Sequence, residues 1–297
     1  MNELKLRFED YIQHTGISMT KASSGIGMSV SVISQWLKGD YKGNVEGVEE
    51  KVSAWLDLQL SRQVTPEIPF VDLPRTKQIK NAIRTAHEEK FIAMILGNSG
   101  SGKSRALQEY NAKNKFNSIL LKCDPTFQLS TVVVLLAQLL NVDSKGRIAE
   151  VSTRIINELL RRDIVVIADE ADYLTDSIFE YLRIAVNDKG RSGLVFVGLP
   201  RIEHRIKNLR NDHRQLENRV GTLLHVQEVN DKDIVSVIGA VWSNLDSKVL
   251  TAYCKAAKKS LHSLIRLITL SRRIIKVNKK SIPTVECVTD AAAYLMV

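Results

Sequence analysis

Apolar positions along the chain follow two different periods. Between residues 91 and 226, short continuous apolar runs recur as FIAMIL (91–96), SILLK (118–122), IVVIA (164–168), LVFVG (194–198) and LLHV (223–226). Stretches with helical spacing separate them, at 103–114, 128–141, 147–162, 175–188 and near 201–211. A strand buried on both faces shows no polar alternation, so such runs between helices predict a parallel sheet covered on each side. From 231 onward the spacing is helical throughout (231–242, 246–259, 261–276, 284–296), which predicts an all-α subdomain. Residues 1–60 also read as short helices. Between them and the sheet region, SRQVTPEIPFVDLPR holds Pro66, Pro69 and Pro74, which do not fit one helix. The expected organisation is an N-terminal domain over 1–60, a Pro-rich linker over 61–75, an α/β core over 76–228 and a helical subdomain over 229–297.

One junction in this pattern carries chemistry. The first strand runs into Gly97-Asn98-Ser99-Gly100-Ser101-Gly102-Lys103-Ser104, which satisfies G-x-x-x-x-G-K-[ST]. The glycines let backbone N–H groups converge on a phosphate, and the following helix adds the positive end of its dipole. In this pattern Lys103 reaches the β- and γ-phosphates and the Ser104 hydroxyl binds Mg²⁺. The strand IVVIA ends in Asp169-Glu170. Strand ends in a parallel sheet face the ligand crevice, so Asp169 is expected to hold Mg²⁺ through water and Glu170 to polarise the attacking water. No N-K-x-D guanine motif is evident, which favours ATP over GTP.

The composition changes the picture mainly through charge. At 44% hydrophobic and 25% charged over 297 residues, the chain is globular in character, and about two domains fit the length. The net charge is +9, and it is concentrated. From Lys248 to Lys280 there are ten basic residues and no Asp or Glu, among them Lys258, Lys259, Arg272 and Arg273. So dense a basic stretch calls for a polyanion, and duplex DNA is the densest common one. In the core, Lys145 and Arg147 lie between two helices and are further candidate DNA contacts. The cysteines (Cys123, Cys254, Cys287) form no C-x-x-C pair, which points to a reducing cytoplasm, and the six histidines show no metal-ligand spacing, so no structural metal is expected. The start has no apolar signal region, and the longest apolar-rich run, 129–142, is too short to span a bilayer. No membrane association is expected.

The N-terminal stretch MTKASSGIGMSVSVISQWLKGDYKG reads as helix, turn, helix, with Gly27 at the turn, Ser29 as N-cap and Gly39 at the end. It resembles helix-turn-helix domains of the phage-repressor class, in which the second helix enters the major groove. On that resemblance the reading face carries Ser29, Ser31, Ser34, Gln35 and Lys38. No Arg lies in 29–38 to take a guanine edge, which weighs against strong sequence-specific reading. A protein-docking role for this module stays open.

The P-loop, the Asp-Glu pair, the additional strand between them in chain order and the helical tail resemble the AAA+ family. That resemblance implies an α/β P-loop core with a parallel five-stranded sheet and a helical lid, preceded here by the all-α helix-turn-helix domain. It also implies an arginine finger in HRQLENRVG, with Arg219 the first choice and Arg214 the second, acting on a neighbour's ATP. A second sensor is implied in SLIRLITLSRR at Arg266. At the end of the 194–198 strand the family carries a polar sensor, whereas this chain has Leu199, which puts hydrolysis strength in question. The order of modules, together with ISQWLKGDYKGNVEGVEEKVSAWL and IADEADYL, is similar to the AAA+ target-capture proteins of DNA transposition typified by phage Mu. That likeness implies an ATPase in the host cytoplasm that uses ATP and Mg²⁺, self-associates into an ATP-dependent oligomer or filament on double-stranded DNA with little sequence preference, and stimulates a transposase. A replication initiator or helicase loader, and a nucleotide-switched transcription regulator, share the motifs and remain alternatives.

Overall fold

The structure, a computed structural model, describes residues 3–63, 68–203 and 220–295. It divides into two units, Met1–Glu67 and Ile68–Val297, each described by itself.

Local capping sets the helices of the first unit: α1 (Glu3–Thr15), α2 (Met19–Ile26), α3 (Val30–Lys38) and α4 (Val45–Gln63). The Ser18 side chain accepts the Lys21 N–H at the start of α2, and Ser29 accepts the Val32 N–H at the start of α3. Each such cap is worth about 1 kcal/mol. Gly27 (φ 76°) and Gly39 (φ 85°) close the two helices in the left-handed conformation that a side chain resists. The helices bury Phe8, Ile33, Trp36, Val52 and Leu56, with the Phe8 and Trp36 rings packed edge to face at 6.2 Å.

In the second unit, the alternate residues of each apolar run separate into two cores. The strands are β1 (Ile92–Leu96), β2 (Ser118–Lys122), β3 (Val165–Asp169), β4 (Gly193–Gly198) and β5 (Val220–His225). They form one parallel sheet in the order β2-β3-β4-β1-β5. Ala93, Ile95, Val165, Ile167, Val195 and Val197 face α5 (Pro74–Glu89) and α6 (Lys103–Lys113). Met94, Leu96, Leu121, Val166, Ala168 and Phe196 face the helices α7 (Leu129–Leu139), α8 (Ile148–Arg161) and α9 (Asp176–Leu182). Both faces of β1, β3 and β4 are therefore dry, which is why those runs are continuous in sequence, whereas β5 at the edge alternates between half-buried and exposed residues.

The lid consists of α10 (Asp231–Gly239), α11 (Ser247–Ala257), α12 (Leu261–Val277) and α13 (Val285–Ala293), packed around Ile234, Ile238, Tyr253, Leu264, Leu267 and Ile268. Leu73 is buried in this same cluster, with Ile68 and Val71 against it, so the second half of the Pro-rich stretch packs on the lid. Two elements differ from the sequence expectation. Helix α5 has no strand-like or strongly apolar signature, since Ile79, Ala82, Ile83 and Ala86 are its only buried apolar residues, set among basic and amide residues. The stretch expected as one helix over 175–188 ends as an α-helix at Leu182 and continues as a π-helical turn over Arg183–Lys189. The wider turn brings the Asn187 amide to the carbonyls of Lys90 (2.8 Å) and Ser192 (3.0 Å), tying it to the starts of β1 and β4. Among the described residues no helix is long and apolar enough to cross a membrane.

Candidate nucleotide-binding site

The strand order places the C-terminal ends of β3, β4 and β1 side by side. Leu96 of β1 is in register with Gly198 of β4, and the Gly97 N–H donates to the Gly198 carbonyl at 3.1 Å. Residues far apart in sequence, Gly97 and Asp169, thus open onto one crevice, with β4 between their strands.

The phosphate loop leaves β1 under tight constraints. Gly100 (φ 77°) and Gly102 (φ 89°) are left-handed, and a Cβ on Gly97 would lie 2.9 Å from Val226 Cβ. Helix α6 begins at Lys103 with no side-chain cap, so its first N–H groups point into the loop. The Lys103 ammonium folds over the loop and donates to the carbonyls of Gly97 (2.6 Å) and Asn98 (3.0 Å) and to Ser101 Oγ (3.4 Å). Burial pushes its pKa below the ordinary amine value, while the Asp169 and Asp172 carboxylates oppose that shift. Ser101 is buried and Ser104 is half-buried in the first turn of α6.

At the end of β3, Asp169 is buried and accepts the Glu170 N–H at 3.0 Å. Glu170 is left-handed (φ 56°), which turns the chain sharply at the crevice. Beside them the Cys123 N–H donates to the Asp169 carbonyl. The Cys123 thiol is pushed up to about 12 by burial and then by the carboxylates of Asp169, Glu170 and Asp124, so it is inert as a nucleophile. A glycine cradle, an uncapped helix start, a half-buried ammonium, a serine hydroxyl and a buried carboxylate fit a triphosphate with Mg²⁺ at Ser104 and Asp169.

The lid meets this loop directly. The Leu261 N–H, at the start of α12, donates to the Gly100 carbonyl at 2.9 Å, and Ser260 packs where a Gly100 side chain would stand. The Glu228 carboxylate lies between the Asn98 amide (3.5 Å) and the Lys259 ammonium (3.6 Å). Lys258 and Lys259, read from sequence as DNA contacts, therefore flank the turn that abuts the phosphate loop, both in the left-handed conformation. Arg266 is exposed and lies five residues, about 7.5 Å, further along α12 than Leu261. Arg214 and Arg219 lie outside the described residues.

The remaining candidates separate by surroundings. Gln35 and Lys38 are exposed on α3, whereas Ser29 is committed to capping it. Lys145 and Arg147 are exposed in the loop between α7 and α8, which Arg154 braces through the carbonyls of Asp143 and Lys145. The Arg272 guanidinium lies over the Trp242 ring at 5.8 Å, a packing contact within the lid, while Arg273 is exposed. Sequence reasoning missed Asp172. Its carboxylate accepts the Leu199 N–H (3.0 and 3.2 Å) and the Arg201 Nε–H (3.1 Å) at the tip of β4. The only sequence signal for it is a third acid two residues beyond Glu170.

Comparisons with known proteins agree with this architecture. A family model described as an AAA domain matches residues 86–206. The chain is 28% identical to the "Mu-like prophage FluMu DNA transposition protein B" of Haemophilus influenzae, over 84% of this chain and 88% of that protein. It is likewise 28% identical to the "ATP-dependent target DNA activator B" of Escherichia phage Mu, over 84% of this chain and 80% of that one. Among solved structures, the Aeropyrum pernix ORC2 protein in ADPNP–ADP complexes aligns with a TM-score of 0.61 at 13% identity, covering 78% of this chain and 71% of that one. The Thermotoga maritima RuvB Holliday junction branch migration motor aligns at 0.52 and 17% identity, over 74% and 68%. At these identities the structural likeness speaks for the fold: an AAA+ P-loop core with a five-stranded parallel sheet and a helical lid.

Proposed function

We propose that this chain is an ATP-dependent DNA-binding protein that assembles on double-stranded DNA with little sequence preference and presents it as a target to a transposase, in the cytoplasm of a bacterial host. One observation carries the reading. The similarity to the transposition B proteins covers 84% of the chain, more than residues 68–297 together, so it extends beyond the AAA domain and the lid into the N-terminal unit.

In this reading the phosphate loop and Lys103 bind the triphosphate. Mg²⁺ at Ser104 and Asp169 would neutralise charge on the transferred phosphoryl group. Glu170 accepts a proton from the attacking water, and a trans arginine, Arg219 or else Arg214, completes the site across a subunit boundary. Because α12 is bonded to Gly100, a change in the loop is passed to the basic lid without an intermediary. ATP binding would therefore hold subunits together on DNA, and hydrolysis would loosen them.

Charge supports placing non-specific DNA affinity in the second unit. Residues 1–67 carry seven Lys and Arg against nine Asp and Glu, so the positive balance of the chain lies entirely beyond them. Phosphate contacts then fall to the lid and to Lys145 and Arg147, with Gln35 and Lys38 as a secondary face.

The test is co-sedimentation with unrelated duplexes under ATP, ADP or no nucleotide at fixed salt. Pelleting that needs ATP, ignores sequence and rises with duplex length is expected. Binding confined to a few sequences and indifferent to nucleotide would overturn the reading in favour of a helix-turn-helix regulator.

A further inference from the structure

At the tip of β4, a single peptide group joins the acidic turn to the phosphate loop. The Gly198–Leu199 peptide donates its N–H to the Asp172 carboxylate, at 3.0 and 3.2 Å. Through its carbonyl it accepts the Gly97 N–H at 3.1 Å. The Gly97 carbonyl in turn accepts from the Lys103 ammonium at 2.6 Å. Asp172 is thus tied to the Gly97 N–H through one peptide, while Lys103 holds the carbonyl of the same glycine, so the two side chains fix Gly97 from its two adjoining peptides. The approach is close by construction, since a Cβ on Gly198 would lie 2.5 Å from Asp172 Oδ2. The Asp172 side chain is 6% exposed, while Arg201, bonded to it through Nε, is 65% exposed. Its guanidinium is therefore open to solvent just beyond the C-terminal end of β4.

We infer that Asp172 is the positioning residue that locks the exit of β4 to the phosphate loop, and that Arg201, held by it, supplies the polar group that Leu199 cannot. The inference rests on the ATPase reading above and names how this chain completes that site. Asp172 sits two residues beyond Glu170 in the same turn, so one short segment sets both the acid that activates water and the loop that holds the phosphates. The electrostatic coupling of Asp172 to Lys103 agrees with this closeness. Without the carboxylate, the Leu199 N–H loses its acceptor, and the peptide that holds Gly97 is free to rotate. Displacing a reacting geometry by ~1 Å costs on the order of 100-fold in rate while leaving binding largely intact. The loss should therefore appear in kcat rather than in KM.

The experiment uses the full chain with Mg²⁺–ATP and duplex DNA. It measures steady-state turnover, equilibrium binding of a non-hydrolysable ATP analogue and thermal melting for Asp172→Ala, Asp172→Asn, Arg201→Ala and the double alanine variant. We expect kcat to fall about 10- to 100-fold in Asp172→Ala and less in Arg201→Ala, with KM and analogue affinity within about threefold of the parent. Asp172→Asn, which still accepts the Leu199 N–H, should recover part of the loss. The double variant should be no slower than Asp172→Ala, because the two residues act as one unit. Arg201→Ala alters an exposed side chain and keeps the test open even where an Asp172 variant melts early. Turnover within twofold of the parent in both single alanine variants would overturn the inference, as would losses in kcat matched by equal losses in analogue binding. An unaltered protein that hydrolyses no ATP would instead overturn the ATPase reading and take this inference with it.

Discussion

The joint between core and lid can be broken at one residue. Arg75, the second residue of α5, is 4% exposed and donates to the carbonyls of Gln227 (2.5 Å) and Glu228 (2.8 Å) and to the Asp233 carboxylate. Asp233 is 5% exposed, lies in the first turn of α10 and also accepts the Asn230 N–H at 3.0 Å. Arg75→Ala leaves a buried carboxylate without its cation and two carbonyls without donors. Breaking a buried pair from one side costs about 3–5 kcal/mol. In a unit of this size each kcal/mol lowers the melting temperature by roughly 2–4 °C, so a drop of roughly 6–20 °C follows. The companion variant, Arg75→Met with Asp233→Leu, removes the charge penalty and retains only the orphaned carbonyls and the lost cap. It should recover about half of the loss, and its destabilisation should be well below the sum of the two single changes. Calorimetric melting of the parent, Arg75→Ala, Arg75→Met, Asp233→Leu and the double variant at pH 7 makes the comparison. A melting temperature for Arg75→Ala within about 2 °C of the parent, or strict additivity, would refute the reasoning.

Other expectations follow from the site and its surroundings. Glu170→Gln should bind ATP, hydrolyse it poorly and stay on DNA longer; faster release, measured by competitor challenge, would contradict the coupling of hydrolysis to DNA release. Lys103→Ala should abolish ATP binding in a nucleotide titration, because its ammonium is the cation that folds over the loop. Replacing Lys145 and Arg147 with Ala should lower the slope of log affinity against log salt by about 2, at roughly 0.9 per phosphate contact, in a filter-binding series. The Asp163 carboxyl is held below the usual carboxylate range, first by its hydrogen bond to Lys90 and further by His87. A depressed folded-state pKa adds stability above the unfolded value and loses it as pH falls through the folded one. Asp163 is well exposed, so Asp163→Asn should cost no more than about 1 kcal/mol at pH 7, and its melting difference from the parent should vanish at acid pH.

Features confined to one short segment were legible in the sequence. The strands β1, β3 and β4 declared themselves because they are dry on both faces, and the phosphate loop because its spacing is local to one turn; β5, half-buried and exposed in alternation, was legible only at its LLHV end. Asp169 and Glu170 stood out as acids ending an apolar strand. What eluded the sequence depends on neighbours brought together by folding. Helix α5 buries two alanines and two isoleucines, too little to mark a period against its basic face. Asp172 gains its role only because β4 lies between β1 and β3, which no local pattern states. Lys258 and Lys259 read as part of a continuous basic run until the lid is seen turning back on Gly100.

That last contact runs from main chain to main chain, and it makes the joint between nucleotide loop and lid invisible to ordinary mutagenesis. Truncating side chains across α12 would leave the Leu261 N–H in place, so an alanine scan would not report this bond. Proline is the exception. At the first position of a helix it is well tolerated, yet it has no N–H to give. Leu261 occupies that position, so the fastening has one chemical switch, and it belongs to the backbone rather than to any functional group.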